Sequence, residues 1–281
     1  MPSLSRRLFH FAAAGAVVNA GRELSADPLG LPIGTQTYPI RDMLSKDVDG
    51  TFRAIAGMGY KTIEMCSPQG YAKSGFGVLA EMKPADLRQK IKAAGLGCES
   101  SHYTMREFRE NLAERIAYAK ELGLKQMVMS SFAVGKDAKM ADWQRAAGEL
   151  NKFSEEIRKA GMATGFHNHD GEFMQLEGAL IYDKIMSELD PKLVKMQYQV
   201  MVGRLGVDPS QLFAKYSGRF ISLHLQDYTA TDKTMVPVGK GAVDWKKLFS
   251  DAKKAGVKNY FVELGYEQMK PSIEYLRGLK V

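Results

Sequence analysis

The chain has 281 residues, 45% of them hydrophobic and 25% charged, which is enough apolar material for a real core and excludes a disordered or fibrous chain. Its formal charge is +7, yet Lys and Arg are spread through segments such as RQKIKAAG and EEIRKAG, beside Asp and Glu. Charge scattered in this way is a solvated face, and no nucleic-acid partner is expected from it.

The first thirty residues differ from the rest. MPSLSRRLFHFAAAGAVVNAGRELSADP has a basic start at Arg6 and Arg7, a short Phe/Ala/Gly/Val run, and small-residue endings at Ala20 and Ala26. The run is too short to span a bilayer, so it reads as a cleavable export signal rather than a stable membrane anchor. Ser5-Arg6-Arg7-Leu8-Phe9 resembles the twin-arginine signal, which carries proteins out already folded. Residues 1–30 are therefore expected to be removed on the way to the periplasm, leaving 31–281 as one domain. Cys66 and Cys98, the only two cysteines, are expected as free core thiols, because a chain that folds before export has no need of a disulfide.

From there a weak repeat sets the fold. AIAGMGYKTIEM, KIKAAGLGCESSHY, AKELGLKQMVMSS, IRKAGMATGFHN and AKKAGVKNYFVEL each join a helix end rich in Ala and Lys to a Gly and then to an apolar, β-branched run. Gly at that place stops a helix, and the run after it suits a strand buried on both faces. Strands are predicted near 32–38, 61–66, 97–103, 126–131, 162–168, 194–200, 220–226 and 259–264. Amphipathic stretches such as MREFRENLAERIAYAKELG lie between them. Eight strands alternating with helices over roughly 250 residues predict an α/β protein, a closed (β/α)8 TIM barrel. A doubly wound sheet competes, but no GxGxxG follows the first strand and no Walker-type loop is present. Trp143 and Trp245 open helical stretches and are expected to pack helix on barrel.

Polar residues collect at one edge of that barrel. His102, His167, His169 and His224 all fall at the C-terminal ends of strands, with Glu64, Gln199, Asp227 and Glu263 beside them. That is the face on which such barrels build their sites. Alternation along the fifth strand points His167 and His169 the same way, and likewise Gln197 and Gln199 in the sixth. Imidazole with carboxylate is a usual ligand set for divalent zinc, manganese or cobalt. For any one of these residues a loop-holding role is equally open.

GTQTYPIRDML, GYKTIEM, SSHY, GFHNHDGEF, SLHLQD, VGKGAVDWKKLF and YFVEL together resemble the sugar phosphate isomerase/epimerase proteins of the xylose isomerase-like barrel superfamily, from about residue 31 to the end. The resemblance implies one divalent metal, Mn, Zn, Co or Mg, held by a Glu, an Asp, a His and a Glu from the last four strands. His224 and Glu263 match two of these. His167 stands where the first Glu is expected and Gln199 where the Asp is, so one anionic ligand remains instead of three, and hard ions such as magnesium should bind less well.

The same resemblance implies a small-molecule sugar as substrate and proton abstraction next to its carbonyl, with Glu263 as one acid/base and His167, His169 or Glu172 as its partner. Gln36, Glu64, His102 and His169 are the residues expected against the substrate, and a second copy of the chain is retained as a partner. The principal expectation is an exported sugar isomerase or epimerase. The alternatives are a lyase acting on 3-keto-glycosides, which needs only one base, and a carbohydrate-binding barrel without turnover. A three-zinc nuclease of the same superfamily is excluded, because YQVMVGRLG and DYTATDKTM supply no histidine. Lys240 reads as a turn residue beside the helix starting at Asp244 rather than a phosphate contact.

Overall fold

Each predicted repeat folds as an outer helix followed by an inner strand. The computed structural model describes residues 27–281, so all but the last four residues of the export segment expected over 1–30 lie outside the described residues. Residues 28–30, grouped with that segment on sequence, form a short turn packed on the barrel: Pro28 is buried and its carbonyl accepts a hydrogen bond from Tyr260 Oη.

Eight parallel strands close the barrel: β1 (Gly34–Gln36), β2 (Thr62–Cys66), β3 (Gly97–Tyr103), β4 (Gln126–Met129), β5 (Ala163–His167), β6 (Val194–Gln199), β7 (Phe220–Leu225) and β8 (Asn259–Val262). Every strand pairs with its sequence neighbours, and Gly34 closes the ring by standing opposite both Thr62 and Phe261. A side chain at Gly34 would run into the Phe261 ring, so the closure needs glycine there. The strands sit where the apolar runs predict them, to within two residues, because both their faces are buried.

The helices stop for the expected reason. Gly59 and Gly256 cap the helices Val48–Met58 and Trp245–Ala255 with φ of 106° and 81°, a left-handed backbone that glycine adopts freely. At the front of the first, Asp47 accepts from the Gly50 amide. Phe52 and Ile55 on its inner face are fully buried, each worth about 1.5–3 kcal/mol of transfer free energy.

Two irregularities matter for the site. Between β2 and β3 the register jumps from Ile63↔Cys98 to Glu64↔Ser100, leaving Glu99 as the extra, exposed residue. Between β6 and β7 it jumps from Met196↔Phe220 to Gln197↔Ser222, leaving Ile221 extra. Such bulges re-aim side chains. These two bring Ser100 level with Glu64, and Ser222 level with Gln197.

Cys66 and Cys98 are both free thiols. Trp245 is buried, and Trp143 meets Phe132 edge-on at 6.4 Å, so both tryptophans pack helix against barrel. Among the described residues no helix is long and apolar enough to cross a membrane.

Candidate active site

Glu64 lies in the lumen and has no exposed surface. Its Oε1 accepts from Ser100 Oγ at 2.6 Å and from Gln197 Nε2 at 2.8 Å; its Oε2 meets His224 Nε2 and lies 3.3 Å from His102 Nε2. A carboxylate can only accept, so Gln197 must turn its amide nitrogen to Glu64 and its oxygen to His102 Nε2, 2.6 Å away. One buried carboxylate thus orients side chains from β3, β6 and β7. Burial alone would raise the Glu64 pKa, but His102 and His224 bring it down to about 2.

His224 stands between two carboxylates. Its Nδ1 is 3.1 Å from Glu263 Oε2, while Nε2 faces Glu64. Burial would lower its pKa, yet Glu263 and Glu64 outweigh that and raise it to about 10. His167 has the opposite environment. It is buried, its neighbours are His224, His169 and His102, and burial followed by those charges holds it well below the usual range. Neither of its ring nitrogens has a hydrogen-bond partner.

Above this layer lies an open cavity of about 700 Å³ at the C-terminal mouth. His169, Gln199, Gln226 and Glu263 form its inner part, with Arg41, Arg204 and Lys233 around it. Glu263, just past β8, accepts two hydrogen bonds on Oε2, from Gln199 Nε2 at 2.7 Å and Gln226 Nε2 at 3.1 Å, and the same oxygen lies 3.1 Å from His224 Nδ1. None of these bonds ends on Oε1. Burial raises the Glu263 pKa but His224 and Gln199 bring it below the ordinary carboxylate value, so the group is ionised at neutral pH.

Not every residue expected at the substrate reaches this cavity. Glu64 lies beneath it. Gln36 is buried and spends its Oε1 on the Tyr38 amide and its Nε2 on Cys66 Sγ, so it fixes the loop after β1. Glu172, expected as an acid/base partner of Glu263, is buried in the turn Asp170–Phe173, where its Oε2 accepts from the His169 amide at 2.8 Å. It caps that turn and does not line the cavity. Asp227 is likewise a loop clamp. Its carboxylate accepts from the amides of Tyr228, Gly239, Gly241 and Val243 and from Trp245 Nε1 at 2.8 Å. Lys240 is exposed on a turn within that clamp, and Asp244 caps the next helix.

His167, Gln199, His224 and Glu263 do come together, and His102 joins them. Gln226, Arg41 and Arg204 were not singled out on sequence; Gln226 stood in the HLQD motif, while nothing in VGRLG marks Arg204 as a mouth residue.

The profile of the family described as Xylose isomerase-like TIM barrel matches residues 52–280. The chain belongs to that family. Among solved structures, this xylose isomerase-like barrel is similar to a sugar phosphate isomerase/epimerase from Parabacteroides distasonis, with TM-score 0.74, 25% identity, and 88% of this chain and 93% of that one covered. A D-psicose 3-epimerase from Clostridium cellulolyticum shares the fold at TM-score 0.65 and 9% identity, over 88% of this chain and 99% of that one. Among curated proteins, an inosose dehydratase from Geobacillus thermodenitrificans is 27% identical over 142 residues, 43% of this chain and 46% of that protein. One from Lacticaseibacillus casei is 29% identical over 89 residues, 31% of this chain and 28% of that protein. The chain thus matches less than half the length of these curated relatives.

The donor set of this xylose isomerase-like barrel fits a divalent ion of borderline softness. His102, His167 and His224 each offer one ligand nitrogen, all within 4.8 Å of one another. A buried imidazole with both nitrogens unpartnered calls for a ligand or water, and three imidazoles suit zinc or cobalt better than magnesium. Glu64 would act behind them, fixing the ring of His224 as carboxylates do for metal-bound histidines.

Proposed function

We propose that the protein is a keto-sugar isomerase or epimerase that abstracts a proton next to the substrate carbonyl, with Glu263 as the base. The observation that carries this is the asymmetry of Glu263: an ionised carboxylate beside an open cavity, with Oε2 held by two amide donors and close to His224, and Oε1 free of such bonds. A base held in this way is fixed in direction and needs no rearrangement before it acts.

Glu263 Oε1 takes the C–H proton, and the electron pair of that bond moves toward the carbonyl oxygen to give an enediolate. His169, exposed in the same cavity, is the second proton carrier. A proton returned to the neighbouring carbon gives an isomer, and one returned to the opposite face of the same carbon gives an epimer. A divalent ion on His102, His167 and His224 would supply polarisation of the substrate's oxygens. Gln199 and Gln226 keep Glu263 aimed.

The test is solvent deuterium exchange into ketohexoses. The wild-type chain should exchange the carbon-bound proton, and Glu263→Gln should lose at least about a thousandfold of that rate while keeping its circular dichroism. Exchange that survives the substitution removes Glu263 from the role. The dehydratase relatives favour a second reading, in which the same abstraction is followed by elimination. A product lighter by one water, with a conjugated carbonyl absorbance, would decide for it. The N-terminal segment adds the proposal that the enzyme is exported and works in the periplasm, where fractionation would find it.

A further inference from the structure

We propose that the substrate is an acidic sugar, with a carboxylate at the end remote from the reacting carbonyl. This rests on the proton-abstraction reading and adds the substrate class to it.

Charge is unbalanced around this concave site. Three cationic side chains, Arg41, Arg204 and Lys233, and two carboxylates, Asp170 and Glu263, line the cavity. Both carboxylates are occupied by the protein's own cations: Asp170 is paired with Arg204 Nη2, and Glu263 lies against His224. Among the described residues Arg41 has no such partner. Its Nη1 donates to the Tyr38 carbonyl at 2.8 Å and its guanidinium sits 4.4 Å over the Tyr38 ring, an arrangement that holds the side chain in place without neutralising it. Lys233 donates to the Ala230 carbonyl at 2.9 Å and also has no carboxylate within ion-pair distance among the described residues. Two uncompensated cations, at a cavity whose base is already engaged, draw in an anion and place its far end at the rim. Guanidinium forks match a planar carboxylate in particular.

A phosphate would need another kind of seat. Barrels of this type usually grip phosphate with backbone amides after the seventh and eighth strands. Here the amides of Gly239, Gly241 and Val243, in the segment after β7, are spent on the Asp227 carboxylate. The protein's own anion fills that cradle.

The test compares three probes by titration calorimetry on the full chain: D-glucuronate, D-glucose and D-glucose 6-phosphate. Glucuronate should bind at least about tenfold tighter than glucose, and the margin should shrink with added salt. In the double variant Arg41→Gln, Lys233→Gln the margin should fall several-fold, with glucose binding and circular dichroism unchanged. Equal binding of glucuronate and glucose overturns the acidic-sugar proposal but leaves Glu263-dependent exchange standing. A margin that survives the double variant, or glucose 6-phosphate binding tighter than glucuronate, overturns it as well. Binding of no sugar at all, together with absence of exchange, overturns both.

Discussion

Glu172 carries a charge that the fold disfavours. Burial pushes its pKa up to about 7, whereas an exposed glutamate titrates near 4.5. Between those values the folded state holds a proton that the unfolded chain releases, so stability falls as pH rises from about 4.5 to about 7. Glu172→Gln keeps an acceptor for the His169 amide and removes the charge. Its stability relative to wild type should therefore grow across that window, by up to about 3 kcal/mol, in urea denaturation at pH 4.5 and 7.5; parallel profiles would refute the assignment. On sequence this residue reads as a partner of Glu263, although a carboxylate three residues after a capping position serves a cap equally well. Burial decides between them, and burial is set by distant residues. His167 and His169 were easier to read: two residues apart on extended backbone at the end of β5, they share a side, and their rings do meet at 4.6 Å.

At the scale of elements, strands and helices were legible because glycine stops and apolar runs are local signals. The two bulges were not. Glu99 and Ile221 look like ordinary strand residues, and only pairing with a neighbour reveals them as extra. The loop after β7 was also opaque, since its organising contact joins Asp227 to an indole 18 residues later. Asp227→Asn turns one acceptor atom into a donor facing donors. A loss of about 2–4 kcal/mol is expected, with faster proteolysis between residues 229 and 244. Unchanged denaturation and proteolysis would show that the clamp is dispensable.

At the scale of the whole molecule, closure of the barrel and assembly of the site are one event. Gly34→Ala presses a methyl into the Phe261 ring at the closing seam and should cost about 1–3 kcal/mol, read as a fall in Tm of roughly 2–4 °C per kcal/mol. Glu64→Gln disturbs the hub that links β2 to β3, β6 and β7. Zinc affinity, measured by chelator competition, should weaken about 10- to 100-fold; equal affinity would detach Glu64 from that role. The Asp227 clamp has a consequence for how such a protein can change. It anchors both ends of the segment that carries Lys233 and Met235 to the mouth, while Glu263 and the histidines are held from below by other strands. The tip can therefore be rewritten in length or charge over generations without disturbing the chemistry, so that a new diet is reached by editing one hairpin.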